Sequence, residues 1–378
     1  MDFTLNEEQK RLQATVKEVA EKKIAPHADE MDRKQEFPWE SFRAAAEVGV
    51  AGLGIPVEYG GSGGNKMDTA IAFEEIARVC VSTAGLTNAH LLLCSEPIYL
   101  YGTEKQRRKY LPDLAKGKKV GAFAITEADA GSDISGIKTT AVRDGDSYII
   151  NGSKAFITNG DVAGTVVIFA GIPALGKRGM TSFIIEDGMP GFIKGKKYDK
   201  LGMRALTNCE LLFDNCRVPV ENRLGEEGQG MKICLSTLDR GRIGVGAQGV
   251  GIARAVLERS AAYAKQRVQF GAPIAQNQAI SWMLADIATQ LEAARLLVYK
   301  AAYLADRGEP FTQIAAMAKL YATELGMKAA TEGIQIHGGY GYMMDSPMQR
   351  FFRDAKLTTI YEGTSEVQRM VISRSVLQ

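Results

Sequence analysis

The sequence predicts an α+β chain, mostly α, in three parts: an N-terminal helical domain, a middle antiparallel β-barrel-like domain and a C-terminal four-helix bundle. Three observations predict it. Apolar residues recur at three- and four-residue steps up to about residue 119. From 120 to about 230, β-branched and aromatic runs alternate with turn residues. From 231 to 378 the helical period returns in longer runs. The expected domains are therefore 1–119, 120–230 and 231–378.

The elements follow in order. Asn6 and Gln9 have the spacing of a capping box, and Leu12, Val16 and Val19 continue one helical face that Pro26 is expected to close. A second helix is expected from Trp39 to Val48, and further ones over 67–81 and 105–116. The run GLGIPVEYGGSGG at 52–64 lacks the lysine and glycine spacing of a phosphate loop and reads as turns. Asp144-Gly145 between the runs at 139–142 and 147–150 signals a hairpin. Short strands are expected at 165–169, 181–185 and 210–213. With no helix between them, they imply an antiparallel sheet or small barrel, not a parallel one. Leu284, Ile287, Leu291, Ala294 and Val298 form a helical seam, as do Ile314, Met317, Tyr321 and Leu325. Nothing in the pattern sets how the N-terminal helices dock on the bundle.

Composition narrows the function. Forty-six basic residues against 44 acidic ones offer no single-sign field for nucleic acid or an anionic membrane, so an anionic ligand must be held locally. Five cysteines (Cys80, Cys94, Cys209, Cys216, Cys234) form no Cys-x-x-Cys pair, and there are only three histidines. Neither a metal site nor a disulfide framework is expected, and reduced thiols fit a cytoplasmic protein. Residues 1–25 lack the apolar core of a signal peptide, and no apolar run is long enough to span a membrane.

Five segments could carry chemistry. In FAITEADAGS (123–132), small residues admit a ligand close to the backbone, and Thr126 and Ser132 offer hydroxyls. In NGSKAFITNG (151–160), Phe156 suits stacking on a flat ring and Thr158 suits its polar edge. Arg267 of RVQFG, with Gln278, suits a pyrophosphate or a carbonyl-rich ring. The Gly338-Gly339 pair in QIHGG implies close backbone contact, whereas His337 reads as structural. Glu362 in YEGTSE, beside an apolar helix, suits a general base with a raised pKa. Each segment alone also reads as an ordinary turn, strand or helix end; their joint occurrence carries the weight.

The set FAITEADAGSD, GSKAFITNG, KLGMRALTNCELLFDNCRVP, RVQFG, QIHGGYGY and IYEGTSEVQR resembles the acyl-CoA dehydrogenase family, in order from about residue 50 onward, and most its short-chain, butyryl-CoA type members. The resemblance implies the three-domain fold, non-covalent FAD and a homotetramer. It places Phe123, Ile125, Thr126, Gly131, Ser132, Phe156, Ile157 and Thr158 along the flavin, with Thr364, Ser365 and Glu366 holding a flavin from their own side. Arg267, Phe270, Gln278, Gln335, Ile336, Gly338 and Gly339 would reach the FAD of a neighbouring subunit. Ser132, Asp239, Arg242 and Gly363 would touch the acyl-CoA. Glu362 matches the catalytic base; some members carry the base on the helix after LDRGR, where Gly241 stands here and cannot serve.

The implied reaction takes the α-proton to Glu362 and the β-hydride to FAD, leaving a trans-2-enoyl-CoA. The Glu362 backbone amide and a flavin ribityl hydroxyl would polarise the thioester carbonyl, and electrons would pass to an electron-transferring flavoprotein. Glu96 falls in LLLCSEPI, a stretch that lines the acyl pocket in this family. It either meets solvent or an internal partner, or marks a branched or alicyclic acyl chain or a second deprotonation site. An acyl-CoA oxidase would carry an extra C-terminal domain, and a nucleic-acid-binding relative a basic extension; a chain of near-zero net charge ending at Gln378 favours neither.

Overall fold

The structure, a computed structural model, describes residues 4–377, without the side chain of Lys177. The outermost positions of the expected terminal domains and of the segment 1–25, residues 1–3 and 378, lie outside the described residues.

Asn6 caps α1 (Glu7–Val19) through reciprocal bonds with Gln9, at 2.9 and 3.0 Å. Pro26 does not close the segment. A π-helical stretch, Ala20–Ile24, carries the chain directly into α2 (Ala25–Lys34), so Pro26 falls in a first turn that does not need its missing N–H. After α3 (Trp39–Glu47), the glycine-rich run forms two 3-10 turns tied by a Leu53–Gly63 bridge. The helix expected over 67–81 is two: α4 (Lys66–Ala77) and α5 (Val81–Asn88). A second π-helical stretch, Ala89–Ser95, leads from α5 into α6 (Glu96–Tyr101), and α7 (Glu104–Ala115) follows. α5 and this π stretch are buried throughout, so they show no amphipathic period.

The strands are β1 (Val120–Ala124), β2 (Thr140–Asp144), β3 (Ser147–Thr158), β4 (Ala163–Gly171), β5 (Met180–Glu186), β6 (Phe192–Lys197), β7 (Asn208–Pro219) and β8 (Arg223–Leu224). They form one sheet in the order β6-β7-β3-β2-β4-β5-β8, with β1 added on β4. Asp144 pairs with Ser147, so the hairpin loop is Gly145-Asp146, one residue later than expected, and Gly145 takes the left-handed φ of 62°. The sheet is not wholly antiparallel: β1 runs parallel to β4. The β2–β3 hairpin between them supplies the crossover length that a helix usually supplies.

The bundle is built on α8 (Gly230–Gln266), α9 (Gln278–Asp306) and α10 (Thr312–His337). A short ribbon (β9, Val268–Gln269; β10, Ala272–Pro273) joins α8 to α9, and α11 (Gly339–Tyr342), α12 (Pro347–Thr358) and α13 (Ser365–Val376) complete the chain. Ile287, Leu291, Ala294 and Val298 are buried as read, with Leu284 half-buried. In α10 the buried stripe is rotated from the expected one: Ala315, Ala318, Ala322, Leu325 and Ala329 face inward, and Tyr321 is 39% exposed. The cause is close helix packing. A Cβ on Gly249 of α8 would lie 2.5 Å from the Ala322 carbonyl oxygen, so only small residues fit between these helices.

The docking that the pattern left open is also set by α8. A Cβ at Gly251 would lie 2.7 Å from Ala77 of α4. Arg254 bonds Glu75 at 2.7 Å and Glu74 at 3.1 Å, and Arg295 of α9 bonds Glu74 at 2.9 Å. Among the described residues no helix is long and apolar enough to cross a membrane, and no acidic, histidine or cysteine group is set to hold a metal. All five cysteines are free and buried, and burial pushes the Cys94 and Cys234 thiols up to about 12.

Candidate active site

Glu362 stands in the loop between α12 and α13 with φ at 54°, followed by Gly363 at 95°. A left-handed glutamate is strained by roughly 1–3 kcal/mol and persists only where its surroundings hold it. Here Gln368 Nε2 donates to the carbonyls of Glu362 (3.3 Å) and Gly363 (2.9 Å), and Lys319 Nζ donates to the Gly363 carbonyl at 2.7 Å. Tyr361 donates its hydroxyl to Gln248, and Thr364 caps α13. The turn aims the Glu362 carboxyl inward, between α5 and α8.

Oε1 of Glu362 accepts from Asn88 Nδ2 at 2.6 Å; Oε2 is buried with no donor. Two glycines on α8, one turn apart, make the space. A Cβ at Gly241 would lie 2.0 Å from Glu362 Oε2 and 2.7 Å from Leu93, and a Cβ at Gly244 would lie 1.9 Å from Asn88 Oδ1. The position of the alternative base and the Glu362 carboxyl therefore compete for one volume. Although the residue as a whole is only half-buried, its carboxyl end is not solvated. Burial pushes its pKa up to about 7, against the opposing pull of Lys319, Arg242 and the Asn88 bond.

Asn88 is tied to the sheet. The Gly121 N–H of β1 donates to His90 Nδ1 at 2.9 Å, so Nε2 carries the proton and donates to the Leu114 carbonyl at 3.1 Å. Burial holds His90 neutral, its pKa lowered to about 4. Asn159, just past β3, donates to the carbonyls of Leu86 and Gly121, both at 3.0 Å. The helix that holds the Glu362 carboxyl, with the π stretch after it, is thus pinned to β1 and to the end of β3, the strands that lead into the first two motif segments.

Those segments form a sheet edge. Phe123, Ile125 and Ile157 are buried, and Thr126 and Thr158 are half-buried. The Thr126 carbonyl accepts from Ala155 N at 2.8 Å, joining the segments, and Thr158 Oγ1 accepts from Asn208 at 3.0 Å. Phe156 has φ at 60° and is 60% exposed, with its ring 4.8 Å from that of Tyr198. Gly131 and Ser132 lie exposed in the adjoining loop. Under the edge, the fully buried Lys154 pairs with Glu127 at 2.6 Å, which also takes the backbone N–H of Lys138 and Thr139.

Arg242 reaches the same region: a Cβ on Gly363 would lie 3.7 Å from its Nη2. It is buried and bonds Asp239 at 2.7 Å, and Asp239 also accepts from Thr312 at 2.6 Å; burial holds the Asp239 pKa above its ordinary value. Glu96 is buried and has internal partners. Oε1 meets Lys66 at 2.7 Å and Arg240 at 3.3 Å, while Oε2 lacks a partner.

The remaining candidates lie elsewhere. Arg267, Ile336, Gly338 and Gly339 line a cavity of about 490 Å³ together with Tyr263 and Tyr340. Nothing lies within 4 Å of a Cβ built on either of the paired glycines, so the space beside them is open. Arg267 lies over Tyr340 (5.6 Å), and His337 stacks on Tyr263 (4.4 Å) and bonds the Gly333 carbonyl. Phe270, Gln278 and Gln335 are exposed and outside this lining. Arg267 follows Gly241 by 26 residues of nearly continuous helix, about 39 Å. Thr364, Ser365 and Glu366 border a separate cavity of about 300 Å³ with Lys356, Thr359 and Ile360.

Three partners of the site escaped the sequence reading: Asn88, Lys319 and Gln368. Lys319 had a usable signal, a charge on the alanine stripe of α10. Gln368 stood within the motif IYEGTSEVQR without being singled out, and Asn88 had no signal, because its partner lies 274 residues away in a loop whose turn no local pattern predicts.

Three domain profiles match the chain in order: "Acyl-CoA dehydrogenase, N-terminal domain" at 6–118, "middle domain" at 122–216 and "C-terminal domain" at 228–377. An acryloyl-CoA reductase (NADH) of Anaerotignum propionicum is 48% identical over 381 residues, covering 100% of this chain and 96% of the relative. The solved butyryl-CoA dehydrogenase of Megasphaera elsdenii is 46% identical, with all of both chains covered and a TM-score of 0.98. A chain solved under the description "Electron transferring flavoprotein of Acidaminococcus fermentans: Towards a mechanism of flavin-based electron bifurcation" is 47% identical, again over all of both chains, with a TM-score of 0.98. With its three parts, its motifs and its buried glutamate in one arrangement, the chain belongs to the acyl-CoA dehydrogenase family.

Proposed function

We propose that Glu362 is the base in an FAD-dependent α,β-dehydrogenation of an acyl-CoA thioester, giving the trans-2-enoyl-CoA. The observation that carries this reading is the buried Glu362 carboxyl with one oxygen free and a pKa near 7. The α-proton of a thioester is weakly acidic, and a carboxylate of ordinary pKa is a poor match for it. Burial narrows that gap while leaving the carboxyl ionised in part at neutral pH. Asn88 fixes one oxygen, so the other meets the substrate in one orientation.

The residues present fit FAD. The sheet edge offers an exposed aromatic at Phe156, hydroxyls at Thr126 and Thr158, and an open backbone at Gly131, a surface suited to a flat ring with a polar rim. FAD, when bound, supplies the acceptor for the β-hydride. We assign Phe123, Ile125, Thr126, Gly131, Ser132, Phe156, Ile157, Thr158 and Thr364–Glu366 to the cofactor of their own subunit. Ser132, Asp239, Arg242 and Gly363 are assigned to the thioester and its CoA. Arg267, Phe270, Gln278, Gln335, Ile336, Gly338 and Gly339 stand at the far end of α8, too distant to share that cofactor. They are assigned to a neighbour's, which favours a homotetramer in a cytoplasmic enzyme divided at 1–119, 120–230 and 231–378.

The substrate reading is a short acyl chain, as in the butyryl-CoA dehydrogenase it resembles. Glu96 is engaged by Lys66 and Arg240, which favours the internal-partner reading over a second base. The electron acceptor is an electron-transferring flavoprotein. In the reverse direction, as the acryloyl-CoA reductase relative suggests, a protonated Glu362 would return the proton to the α-carbon.

Glu362→Gln tests the assignment. The variant is expected to keep its flavin absorption and thioester binding and to lose turnover by several orders of magnitude, on the order of 10³-fold or more. Retained turnover would move the base elsewhere. A panel of straight, branched and alicyclic acyl-CoAs with an artificial acceptor fixes the substrate.

A further inference from the structure

Lys319 is fully buried in the middle of α10, on a stripe otherwise made of Ala315, Ala318 and Ala322. A lysine amine is costly there and needs a reason. Its Nζ donates at 2.7 Å to the carbonyl of Gly363, the residue after Glu362. That carbonyl also accepts from Gln368, which holds the Glu362 carbonyl as well. The two residues so held are the successive left-handed pair, at φ of 54° and 95°.

We propose that Lys319 is a positioning residue for the reaction: with Gln368 it clamps the Glu362–Gly363 turn so that the carboxyl points between Asn88 and Gly241. The inference rests on Glu362 being the base. Tyr361 and Thr364 anchor the residues on either side of the turn, and Lys319 and Gln368 hold its two carbonyls. A glutamate with positive φ relaxes unless its backbone is held, and relaxation would swing the carboxyl away from Asn88. Lys319 reaches the turn from α10 and Gln368 from α13, so two helices fix its position.

The ammonium acts a second way, through its charge. Lys319 is faced by Glu362, by Arg242 of α8, by Glu366 of α13 and by Glu324 of its own helix. Glu362 is faced by Lys319 and Arg242, with Asn88 bonded to it and Tyr361 beside it. Burial lowers the Lys319 pKa and raises that of Glu362, and each charge partly opposes the shift of the other. Removing the lysine would therefore loosen the turn and raise the carboxyl pKa further.

The test compares Lys319→Met, Lys319→Arg and Glu362→Gln in the flavin-loaded full chain. Lys319→Met is expected to lower kcat on the order of a hundredfold with little change in KM. It is also expected to move the acid limb of kcat/KM up by about one pH unit. Infrared titration of the Glu362 carboxyl band, identified by its loss in Glu362→Gln, should show the same upward shift without reference to turnover. Lys319→Arg should restore the limb and part of kcat. A merely structural lysine would lower Tm and leave limb and band in place; that result, or parental kcat in Lys319→Met, overturns the proposal. If Lys319→Met does not fold, Gln368→Met tests the clamp from α13: kcat should fall with the limb unmoved, and parental kcat there overturns the proposal. Turnover in Glu362→Gln would defeat the base assignment itself, whereas an inert Glu362→Gln beside a parental Lys319→Met defeats the clamp alone.

Discussion

Adding one methyl group at Gly241 should disable the enzyme without unfolding it. A Cβ there would lie 2.0 Å from Glu362 Oε2, 3.1 Å from its Cδ and 2.7 Å from Leu93 Cδ2. Ordinary contact needs about 3.5 Å, so the carboxyl must retreat by roughly 1.5 Å. It cannot take Asn88 with it, because Asn88 Oδ1 already lies against Gly244, where a Cβ would be 1.9 Å away. The 2.6 Å bond from Asn88 is then lost. A displacement of about 1 Å costs on the order of a hundredfold in rate. That corresponds to about 3 kcal/mol on the barrier. Overpacking adds roughly 1–3 kcal/mol of destabilisation, affordable for a chain of this size. The assay is kcat/KM on butyryl-CoA with an artificial acceptor, beside the flavin absorption and melting temperature of the same preparation. Gly241→Ala with the parental flavin content and kcat/KM within about threefold of the parent would refute the reasoning that the two positions share one volume. The same geometry predicts that Gly241→Glu in a Glu362→Gly background recovers part of the activity, because the new carboxylate enters the vacated space from the opposite helix.

Other outcomes follow from the same site. kcat/KM should fall about tenfold per unit below pH 7, because the protonated Glu362 cannot accept a proton; a limb near pH 4.5 would place the carboxyl in water. The Glu362 pKa is raised on folding, so its contribution to stability is complete below about pH 4.5 and is lost as the pH rises through 7. The urea-unfolding free energy of Glu362→Gln relative to the parent should therefore improve across that window, by up to about 3 kcal/mol, and a constant difference would contradict the burial. Glu96→Ala strands Lys66 and Arg240 without their shared anion and should cost roughly 3–5 kcal/mol in urea unfolding, whereas an exposed glutamate would cost almost nothing. Glu96→Gln with unchanged rates on every acyl-CoA of the panel would dispose of a second deprotonation site.

The parts of the fold that were legible in sequence are those decided by local chemistry. The Asn6 cap, the hairpin at Gly145 and the α9 seam depend on neighbours within a few residues. What failed depends on distant chain. Pro26 breaks a helix in isolation, but a π turn absorbs it. The α10 stripe follows the small residues of α8, not the large residues of its own period. The parallel pairing of β1 with β4 depends on a hairpin folding between them. At the site, Glu362 was readable because its motif is contiguous. The Asn88 donor lies 274 residues away, and the two glycines that make its space are visible only as absent side chains.

The length of α8 has a consequence for how the protein should be handled. Its 37 residues place the glutamate pocket in the first half of the helix and the Arg267 cavity at its C-terminal end, on one continuous element. If each cofactor is completed by a second copy, retention of the yellow chromophore becomes a matter of protein concentration. Dilute solutions should bleach on gel filtration while concentrated ones stay coloured. A mutation at the distal end, far from any reacting atom, would then register first as a weaker grip on that colour and only afterwards as lost turnover.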